Sequence, residues 1–389
     1  MLKFALGTGL RKLTIIAPTL IAFALTLASL AYLAFALLRV IAFGKQRAGP
    51  SAYQPPISLL KPVCGLEPEL YQNLRTFCDQ DYPDYQIIFG VRDPNDPAIA
   101  VIKRLIREFP QRHAALIVDE TVTGTNFKVS NLANMYRAVE HDLLVIADSD
   151  MRVGRDYLGA VAAPFADLQV GAATCLYMGV PVDGFASRLG AMFINDCFAP
   201  SVLVALSFQE LRYCFGATMA VRRPALEKMG GFAVLTDQLA DDHMLGKRIA
   251  EQGLKVALPA YVVENHVWES GFKALFLHEL RWARTIRAMQ PVGYAFSFIT
   301  YPVAVSALLV LIFPMKAAGL TLLAVSVIMR ALLHWSVHAG FRIPGPTQAW
   351  LAPFRDLLSF VVWVVSFFGR SVQWREQNFS VRRDGQLTK

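Results

Sequence analysis

The sequence predicts an α/β protein with a mostly parallel, doubly wound sheet and apolar helices at both ends of the chain. Short apolar runs alternate with stretches of helical periodicity between residues 57 and 148. A long uncharged run lies near the N-terminus, and further apolar runs follow residue 293. With 54% hydrophobic residues and a mean hydropathy of +0.39, the chain is more apolar than an ordinary soluble enzyme.

The central part of the chain contains four predicted strands separated by predicted helices. The strands are short apolar runs at 57–62, 85–91, 115–120 and 142–148. The stretches between them have helical spacing and cover 67–80, 97–109 and 126–140. This alternation is typical of a parallel sheet, which binds its ligands in the loops after the carboxyl ends of its strands. Further along, 214–232 predicts a glycine-containing loop, a strand and a helix, and 239–253 predicts a helix.

Four apolar runs are candidates for contact with a membrane. Residues 13–38 carry no charge, are long enough for a bilayer core of about 30 Å, and precede no evident cleavage site, so we expect a retained anchor. Candidate spans follow at 294–313 and at 317–335, the second with Arg330 inside it. The run 357–369 is short and favours an interfacial or re-entrant segment.

These runs divide the chain into an N-terminal membrane anchor at 1–45, one α/β domain at 46–292, and a C-terminal part at 293–389. The C-terminal part would consist of a membrane hairpin, the interfacial segment and a basic tail. One anchor followed by a hairpin places the domain and the tail on the same side, which we expect to be the cytoplasm, with the 314–316 turn outside. The five scattered cysteines have no paired spacing and predict reduced thiols rather than disulfides or a zinc site.

The net charge of +8 is concentrated beside the apolar runs. The basic residues that flank them are Arg39, Lys45, Arg47, Arg370, Arg375, Arg382 and Arg383. Such flanks are typical of cytoplasmic loops that face anionic lipid headgroups. We therefore expect a membrane as the partner of these charges and no nucleic acid.

Two aspartates follow the fourth predicted strand in "LLVIADSDMRV", at Asp148 and Asp150. Two carboxylates so close to a buried strand repel each other, and burying either one without a partner is costly. A hard divalent cation such as Mg²⁺ or Mn²⁺ would relieve this by taking oxygen ligands from both, together with oxygens of a diphosphate. The alternative is that Asp148 caps the next helix and Asp150 is solvated.

Other candidate residues each have a structural reading beside the functional one. Asp93 follows the second strand and could simply form a turn, and Lys128 in "KVSNL" could be a solvated helix residue. Asp241 and Asp242 lie at the start of a helix, and their role could be limited to stabilising the helix dipole. The basic stripe of "HELRWARTIR" could contact lipid headgroups; it comprises Arg281, Arg284 and Arg287, with Trp282 beside it. His266 and His278 are more typical of packing or surface histidines than of metal ligands.

The order of these residues resembles a known family. Asp93, Asp148-Ser149-Asp150, Asp242 and an x-x-x-Arg-Trp element before C-terminal spans are similar to the inverting, membrane-bound glycosyltransferases of the GT-A fold. Within them, the layout is closest to the ceramide glucosyltransferase family and its D, D, D, (Q/R)xxRW pattern. Here His278 stands where that pattern has Gln or Arg. The resemblance covers nearly the whole chain.

A narrower resemblance is to the bacterial hopanoid-biosynthesis glycosyltransferases, which attach N-acetylglucosamine to bacteriohopanetetrol. It rests on the segments "LLKPVCGLEPELYQNL", "FCDQDYP", "IFGVRDPNDPA", "KVSNLANM", "VIADSDMRVG", "FGATMAVRR" and "HELRWARTIR". The resemblance implies a multi-pass protein of the bacterial inner membrane with its GT-A domain in the cytoplasm. It implies a UDP-sugar donor, UDP-N-acetylglucosamine or UDP-glucose, and a lipid acceptor, a hopanoid or ceramide.

The resemblance also implies a role for each candidate. Asp148 and Asp150 would hold Mg²⁺ or Mn²⁺ and the donor diphosphate, while Asp93 and Lys128 would bind the donor. Asp242 would be the base that activates the acceptor hydroxyl, with Asp241 as the alternative. The Arg281 side chain would neutralise the diphosphate, and Trp282 would form part of the acceptor floor. Attack opposite the leaving group would invert the anomeric centre, so an α-linked donor would give a β-glycoside.

Three other functions fit the sequence less well. A lipid glucosyltransferase with another acceptor, such as ceramide, has the same motifs. A processive polysaccharide synthase needs more than about three spans to build a channel. A transporter or receptor would place ionisable residues inside its spans, where Arg330 is the one clear example, whereas the acidic residues gather in the α/β domain.

Overall fold

The computed structural model describes residues 2–46, 49, 51–313, 316–369, 371–374, 377–381 and 387–388. Its strands, in chain order, are β1 (Ile57–Val63), β2 (Tyr85–Val91), β3 (His113–Val118), β4 (Leu143–Ile146), β5 (Met151–Arg152), β6 (Val170–Thr174), β7 (Leu176–Pro181), β8 (Met219–Arg222), β9 (Lys255–Ala257), β10 (Val262–Val267), β11 (Ser371–Trp374), β12 (Gln377–Val381) and β13 (Leu387–Thr388).

The helices are α1 (Leu2–Gly44), α2 (Leu70–Cys78), α3 (Ala98–Glu108), α4 (Phe127–Met135), α5 (Tyr157–Ala162), α6 (Gly184–Phe193), α7 (Ala199–Ala205), α8 (Arg223–Lys228), α9 (Asp241–Glu251), α10 (Phe272–Met289), α11 (Pro291–Phe296), α12 (Pro302–Ile312), α13 (Lys316–Phe341) and α14 (Ala352–Ser366). A π-helical segment, Ile194–Phe198, joins α6 to α7. Short 3-10 turns cover Tyr136–Ala138, Ala163–Ala166, Gly231–Leu235, Ser297–Thr300 and Ala349–Leu351.

The first four strands form the parallel part of a seven-stranded sheet with the order β3-β2-β1-β4-β8-β6-β9. β1 pairs in parallel with β2 and with β4, so that Leu60 lies opposite both Ile88 and Ile146. Alternate residues of these strands belong to two different apolar clusters, Leu60 to one and Leu59 to the other. Because both faces are buried, the strands have continuous apolar sequences. The predicted α/β fold with a mainly parallel sheet is confirmed.

The direction of β8 was not predicted. This strand is antiparallel to both β4 and β6. A strand's direction depends on the chain that leads into it, here the long connection 182–218, and not on its own residues. A second sheet, with the order β5-β10-β7, lies beside the end of β4, and a third has the order β11-β12-β13.

Some predicted features of the termini lie outside the described residues. They are the side chains of Arg47, Arg370, Arg375, Arg382 and Arg383 and most of the 314–316 turn. The five cysteines, all of which are described, form no disulfide with one another, as expected.

Four helices of the described chain are long and apolar enough to cross a membrane. They are Ala17–Gly44, Gly184–Ala205, Lys316–Phe341 and Ala349–Ser366. The predicted anchor at 13–38 and the predicted span at 317–335 correspond to the first and third. The predicted span at 294–313 is bent, since Pro291–Thr300 and Pro302–Ile312 meet at 73°. A proline at the start of the second piece favours this break, because its nitrogen donates no helical hydrogen bond.

The apolar segment Gly184–Ala205 was not predicted, although Arg188 and Asp196 are its only charged residues. It lies between β7 and β8. Since β6 directly precedes β7 and is paired with β8, a single crossing of a membrane would separate two neighbouring strands. The segment therefore packs as a buried helix against α1, where the Tyr32 hydroxyl lies 2.9 Å from the Ser201 hydroxyl.

One face of the helix α1 packs against the rest of the protein. Leu33 and Val40 of α1 belong to the same buried apolar cluster as Leu60 of the sheet. At its end, a Cβ on Gly44 would lie 2.8 Å from the Cα of Gly340 in α13. The two helices therefore cross at a distance that only glycine allows.

Buried ion pairs connect the apolar helices. The Arg330 guanidinium pairs with the Asp356 carboxylate and donates to the carbonyl oxygens of Asp196 and Thr300 at 3.0 and 2.9 Å. His334 Nδ1 lies 2.9 Å from both carboxylate oxygens of Asp196. Residues 357–366 of the run expected to be an interfacial or re-entrant segment belong to the longer helix α14, which begins before the run because Arg355 and Asp356 are buried and paired.

Candidate functional site

Asp148 and Asp150 lie in the turn between β4 and β5, at the edge where β1, β2 and β4 end. Two backbone hydrogen bonds fix this turn. The Ala147 amide donates to the Leu60 carbonyl at 3.3 Å, and the Met151 amide donates to the Asp148 carbonyl at 3.4 Å. The carboxylates therefore lie at a strand end, where parallel sheets place their ligand sites.

Lys128, at the start of α4, contacts two of the predicted carboxylates. Its Nζ lies 2.6 Å from Asp148 Oδ1 and 3.5 Å from Asp241 Oδ2. Asn126 fixes this helix start, because its side-chain oxygen accepts the Lys128 amide and its amide nitrogen donates to the Gln238 carbonyl at 2.8 Å. Burial lowers the pKa of Lys128, but Asp148 and Asp241 outweigh it and hold the pKa above its ordinary value. A fixed cation therefore lies among the carboxylates.

A second lysine, Lys61, holds the backbone of the same turn. It is fully buried in β1 and donates from Nζ to the backbone carbonyl of Asp148 at 2.6 Å. The ammonium lies 3.6 Å from the centre of the Phe77 ring. Burial lowers the pKa of Lys61 to about 7, although Asp148 and Asp150 oppose this. Sequence analysis missed Lys61, and its signal was a lysine within the apolar run "ISLLKP".

Asp150 is held by the second sheet. The Asn265 side chain donates to Asp150 Oδ2 at 2.7 Å, and the His266 amide donates to the Asp150 carbonyl at 2.9 Å. Burial, together with Asp148 and Glu67 nearby, raises the pKa of Asp150 to about 7. The positively charged and hydrogen-bonding groups around Asp150 therefore do not fully balance the negative charge of its carboxylate. Asn265 is a further residue that sequence analysis missed.

Asp241 and Asp242 begin α9 and face the same cluster. Burial and the neighbouring Asp241 raise the pKa of Asp242 to about 6, and burial also raises the pKa of Asp241. Asp242 Oδ1 accepts the His243 amide at 2.7 Å. Asp241 Oδ2 is buried and has no hydrogen bond among the described residues, although Lys128 is close by.

Gly216 lies at the centre of this cluster. A Cβ at this position would lie 3.0 Å from Asp148 Oδ2, 3.6 Å from Asp242 Oδ2 and 3.7 Å from Lys128 Nζ. The polar groups of β4, α9 and α4 therefore surround a small space that a side chain would fill. Gly216 is in the glycine-containing loop predicted before β8, but its position between the carboxylates was not predicted.

Asp93 lies apart from the other carboxylates. It follows β2 at the same edge of the sheet, is exposed, and accepts the Asn95 amide at 2.8 Å through Oδ1. Within the described residues, no contact links Asp93 to Asp148 or Asp242. Its role in binding the nucleotide stays a prediction.

The donor set at Asp148 and Asp150 fits a hard divalent cation. All of its ligand atoms are carboxylate oxygens. The raised pKa of Asp150, and the buried Asp241 Oδ2 with no hydrogen bond among the described residues and Lys128 at 3.5 Å, both indicate negative charge without a full counter-charge. In the part of the chain that the structure describes, no three His, Cys, Asp or Glu side chains converge to hold a metal. A cation held here would complete its coordination with water and a diphosphate, which is typical of Mg²⁺.

The three arginines of the basic stripe on α10 differ in their partners. Arg284 donates to the Phe368 carbonyl at 2.6 Å, and Arg287 donates to the Gly369 carbonyl at 2.7 Å. These two arginines therefore hold the chain that follows α14. The third member, Arg281, makes no side-chain hydrogen bond or ion pair with the described residues, and burial lowers its pKa to about 10.

Trp282 lies in an aromatic stack. Its ring is 5.8 Å from the Phe193 ring at an interplanar angle of 28°, and 4.3 Å from the His278 ring. His278 Nδ1 lies 2.7 Å from Glu269 Oε1. His278, which replaces Gln or Arg of the resembled pattern, thus packs against Trp282. Among the described residues, neither Arg281 nor Trp282 contacts the carboxylates around Gly216.

The fold resembles that of solved glycosyltransferases. A mannosyltransferase from Pyrobaculum calidifontis, solved in complex with GDP-Man and Mn²⁺, has a TM-score of 0.55 at 20% sequence identity, covering 90% of this chain and 99% of that one. This similarity shows that the chain has the GT-A fold.

The sequence comparison identifies the family. Residues 21–387 match glycosyl transferase family 21, and the chain therefore belongs to this family. Ceramide glucosyltransferase 1 of Caenorhabditis elegans is 23% identical over 350 residues, covering 87% of this chain and 74% of that protein. A ceramide glucosyltransferase of Komagataella phaffii is 38% identical over 101 residues, 25% of this chain and 20% of that protein.

Proposed function

We propose that the protein transfers a sugar from a UDP-sugar to a hydroxyl of a membrane lipid, with inversion at the anomeric carbon. The observation that carries this proposal is the cluster around Gly216, where Asp148, Asp242 and Lys128 face one small space. This cluster combines a place for a diphosphate and its counter-ion with a carboxylate that can act as a base.

The donor is proposed to bind at Asp148 and Asp150, which would hold Mg²⁺ or Mn²⁺. Such a cation neutralises the negative charge that develops on a leaving diphosphate. Lys128 would exchange its ion pair with Asp148 for the donor phosphates, since its Nζ is already within the cluster. Asp93, in the exposed turn at the same sheet edge, is proposed to contact the nucleoside.

Asp242 is proposed to be the base. Its pKa of about 6 keeps it a carboxylate at neutral pH while leaving it basic enough to accept the proton of the acceptor hydroxyl. Attack by that hydroxyl from the side opposite the diphosphate would invert an α-linked donor to a β-glycoside. Arg281 is free to bind the diphosphate through its planar guanidinium, and Trp282 would form the floor under the acceptor.

The membrane arrangement is proposed from the helices. The helix α1, the bent segment Pro291–Thr300 with Pro302–Ile312, and α13 would cross the bilayer. The helix α14 would lie at the interface, which is supported by its contacts with α10 near both of its ends. This arrangement would place the α/β domain and the tail on the cytoplasmic side of a bacterial inner membrane.

The acceptor proposed first is bacteriohopanetetrol, with N-acetylglucosamine as the sugar, on the resemblance of the sequence motifs. Ceramide glucosylation from UDP-glucose is the second candidate, which the names of the relatives favour. Both lipids would present a hydroxyl to Asp242 while their apolar parts remain among α1, α12 and α13.

The test is a radiolabel transfer assay with the full-length protein in detergent. UDP-N-acetylglucosamine and UDP-glucose are each offered with bacteriohopanetetrol and with ceramide, with and without EDTA, beside Asp242→Asn. We expect EDTA-sensitive label on the hopanoid from the N-acetylglucosamine donor, lost in the variant. Label on ceramide would keep the mechanism and change the acceptor. Absence of transfer to either lipid would overturn the acceptor class.

A further inference from the structure

The helix α14 is fastened along α10, the helix that carries Arg281 and Trp282. Near its start, Arg355 forms an ion pair with Glu279 of α10. Beyond its end, the Phe368 and Gly369 carbonyls accept hydrogen bonds from the arginines that follow Trp282 on α10. The position of α10 therefore depends on a helix more than 60 residues further along the chain, as the separation of Glu279 and Arg355 by 76 residues shows.

Of the side chains in these contacts, Arg355 makes the most hydrogen bonds. Its Nη1 and Nη2 donate to the two carboxylate oxygens of Glu279 at 2.6 and 2.7 Å. The same guanidinium donates to the Ser359 hydroxyl from Nε at 3.1 Å and from Nη2 at 2.9 Å, and to the Leu189 carbonyl from Nη1 at 3.2 Å. The side chain is 1% exposed. A planar fork bound in this way fixes distance and rotation together.

Arg355 also supports the ring on which Trp282 stacks. Its guanidinium carbon lies 5.6 Å from the centre of the Phe193 ring, and Phe193 stacks on Trp282. Glu279 precedes Arg281 by two residues and Trp282 by three, on the same helix. One guanidinium thus contacts both the helix that presents Arg281 and the ring beneath Trp282.

We infer that Arg355 is a positioning residue for the transfer reaction, acting through Glu279 and Phe193 on Arg281 and Trp282. This inference rests on the proposed roles of Arg281 and Trp282. Within the described residues the Arg281 side chain makes no hydrogen bond, so the place from which its guanidinium extends depends on the position of α10. A small displacement of α10 would move it away from the diphosphate, and misplacement of about 1 Å can cost about 100-fold in rate.

A purely structural ion pair would give a different result from a positioning one. Loss of a structural pair lowers stability and leaves the kinetics of the folded enzyme unchanged. Loss of a positioning pair lowers kcat in enzyme that is still folded, because the groups that act in the transition state are misplaced. The KM for the donor changes less than kcat, since Asp148, Asp150 and Lys128, which are proposed to hold the donor, are untouched.

The experiment compares Arg355→Lys with Arg222→Lys in full-length protein. Both substitutions replace a guanidinium that donates hydrogen bonds from Nε and Nη2, but Arg222 and the carbonyl groups that accept from it, those of Phe165, Asp167 and Val170, lie outside α10 and α14. We measure kcat, the KM for donor and acceptor, and hydrogen exchange of the α10 backbone. For Arg355→Lys we expect kcat to fall by about 10- to 100-fold with faster exchange in α10. For Arg222→Lys we expect both kcat and α10 exchange to be unchanged.

Normal kcat and normal α10 exchange in folded Arg355→Lys would overturn the inference. If Arg355→Lys does not fold, kcat is measured instead in the double variant Arg355→Met with Glu279→Leu, which leaves no unpaired buried charge. A normal melting temperature with lowered kcat supports positioning, whereas a normal kcat refutes it. If the wild type transfers no sugar, the proposed function fails. The role of Arg355 in positioning α10 is then judged by hydrogen exchange alone, and unchanged exchange in the variant refutes it.

Discussion

Buried charges occur in two regions of this protein, around Gly216 at the strand ends and between the apolar helices, and their partners differ. Between the helices, Asp356 accepts from Arg330 and from two backbone amides of α12, and Arg355 uses all of its donors. Around Gly216, Asp241 Oδ2 has no hydrogen bond among the described residues, and the pKa of Asp150 is raised by burial and by nearby carboxylates.

This difference separates two uses of buried charge. A charge whose partners are all supplied by the protein holds helices together, and removing one partner is costly. A cluster with surplus negative charge is left for something that is not part of the chain, such as a cation and the donor. Substitution around Gly216 should therefore change catalysis directly, whereas substitution between the helices should change stability or, at Arg355, the position of α10.

The largest expected effect is on catalysis at Asp242. Asp242→Asn removes the proposed base and should lower sugar transfer by about 10²–10⁴-fold while UDP still binds. Transfer assays and UDP titration calorimetry check this. The matched control is Asp241→Asn, and a larger loss in the control than in Asp242→Asn would assign the base to Asp241 instead.

Breaking an ion pair between the apolar helices should lower the stability of the protein. Arg330→Met leaves the buried Asp356 carboxylate without its partner and should lower the free energy of unfolding by about 3–5 kcal/mol. The double variant with Asp356→Leu should recover most of this loss. Thermal unfolding in detergent measures both. Equal destabilisation in the single and double variants would mean that the unpaired charge is not the cause.

Filling the space at Gly216 should weaken donor binding. Gly216→Ala places a Cβ 3.0 Å from Asp148 Oδ2, and such overpacking typically costs about 1–3 kcal/mol. We expect the Kd for the UDP-sugar to rise about tenfold at a cost of 1.4 kcal/mol. Gly159→Ala is the control, because nothing lies within 4 Å of its Cβ position. Unchanged affinity in Gly216→Ala would mean that the donor does not use this space.

The pH dependence of transfer should follow Asp242. Its pKa is raised to about 6, so below pH 6 the side chain is mostly protonated and cannot accept a proton. Transfer should therefore rise with pH through about 6 and level off above it, losing about tenfold for each unit below the pKa. The pH profile of kcat/KM measures this, and a profile that is flat from pH 5 to pH 7 would exclude Asp242 as the base.

The smallest effect is expected at His278. Glutamine at this position can still donate to Glu269, so His278→Gln should keep transfer within about threefold. His278→Ala loses both this hydrogen bond and the contact with Trp282 and should cost more, about tenfold. Transfer rates at saturating donor give the comparison. A loss in His278→Gln as large as in His278→Ala would show that the imidazole itself is required.

Local periodicity was enough to predict β1 to β4 and the position of Asp148 and Asp150 at a strand end. These features depend on residues close together in the sequence. The surroundings of Gly216 were not predictable, because they combine a loop before β8 with side chains from α4 and α9. The same limit applies to Arg284, which was grouped with Arg281 by helical spacing but bonds the Phe368 carbonyl, 84 residues away.

The crossing of α1 and α13 at Gly44 and Gly340 has a consequence for the order of synthesis. The first helix leaves the ribosome before any strand of the sheet, whereas its glycine partner in α13 is made almost 300 residues later. Until then the Gly44 end of α1 lacks the neighbour against which it packs. A chain that ends before residue 340 would therefore contain every residue of the cluster around Gly216 but lack the helix contact that Gly44 is shaped to make.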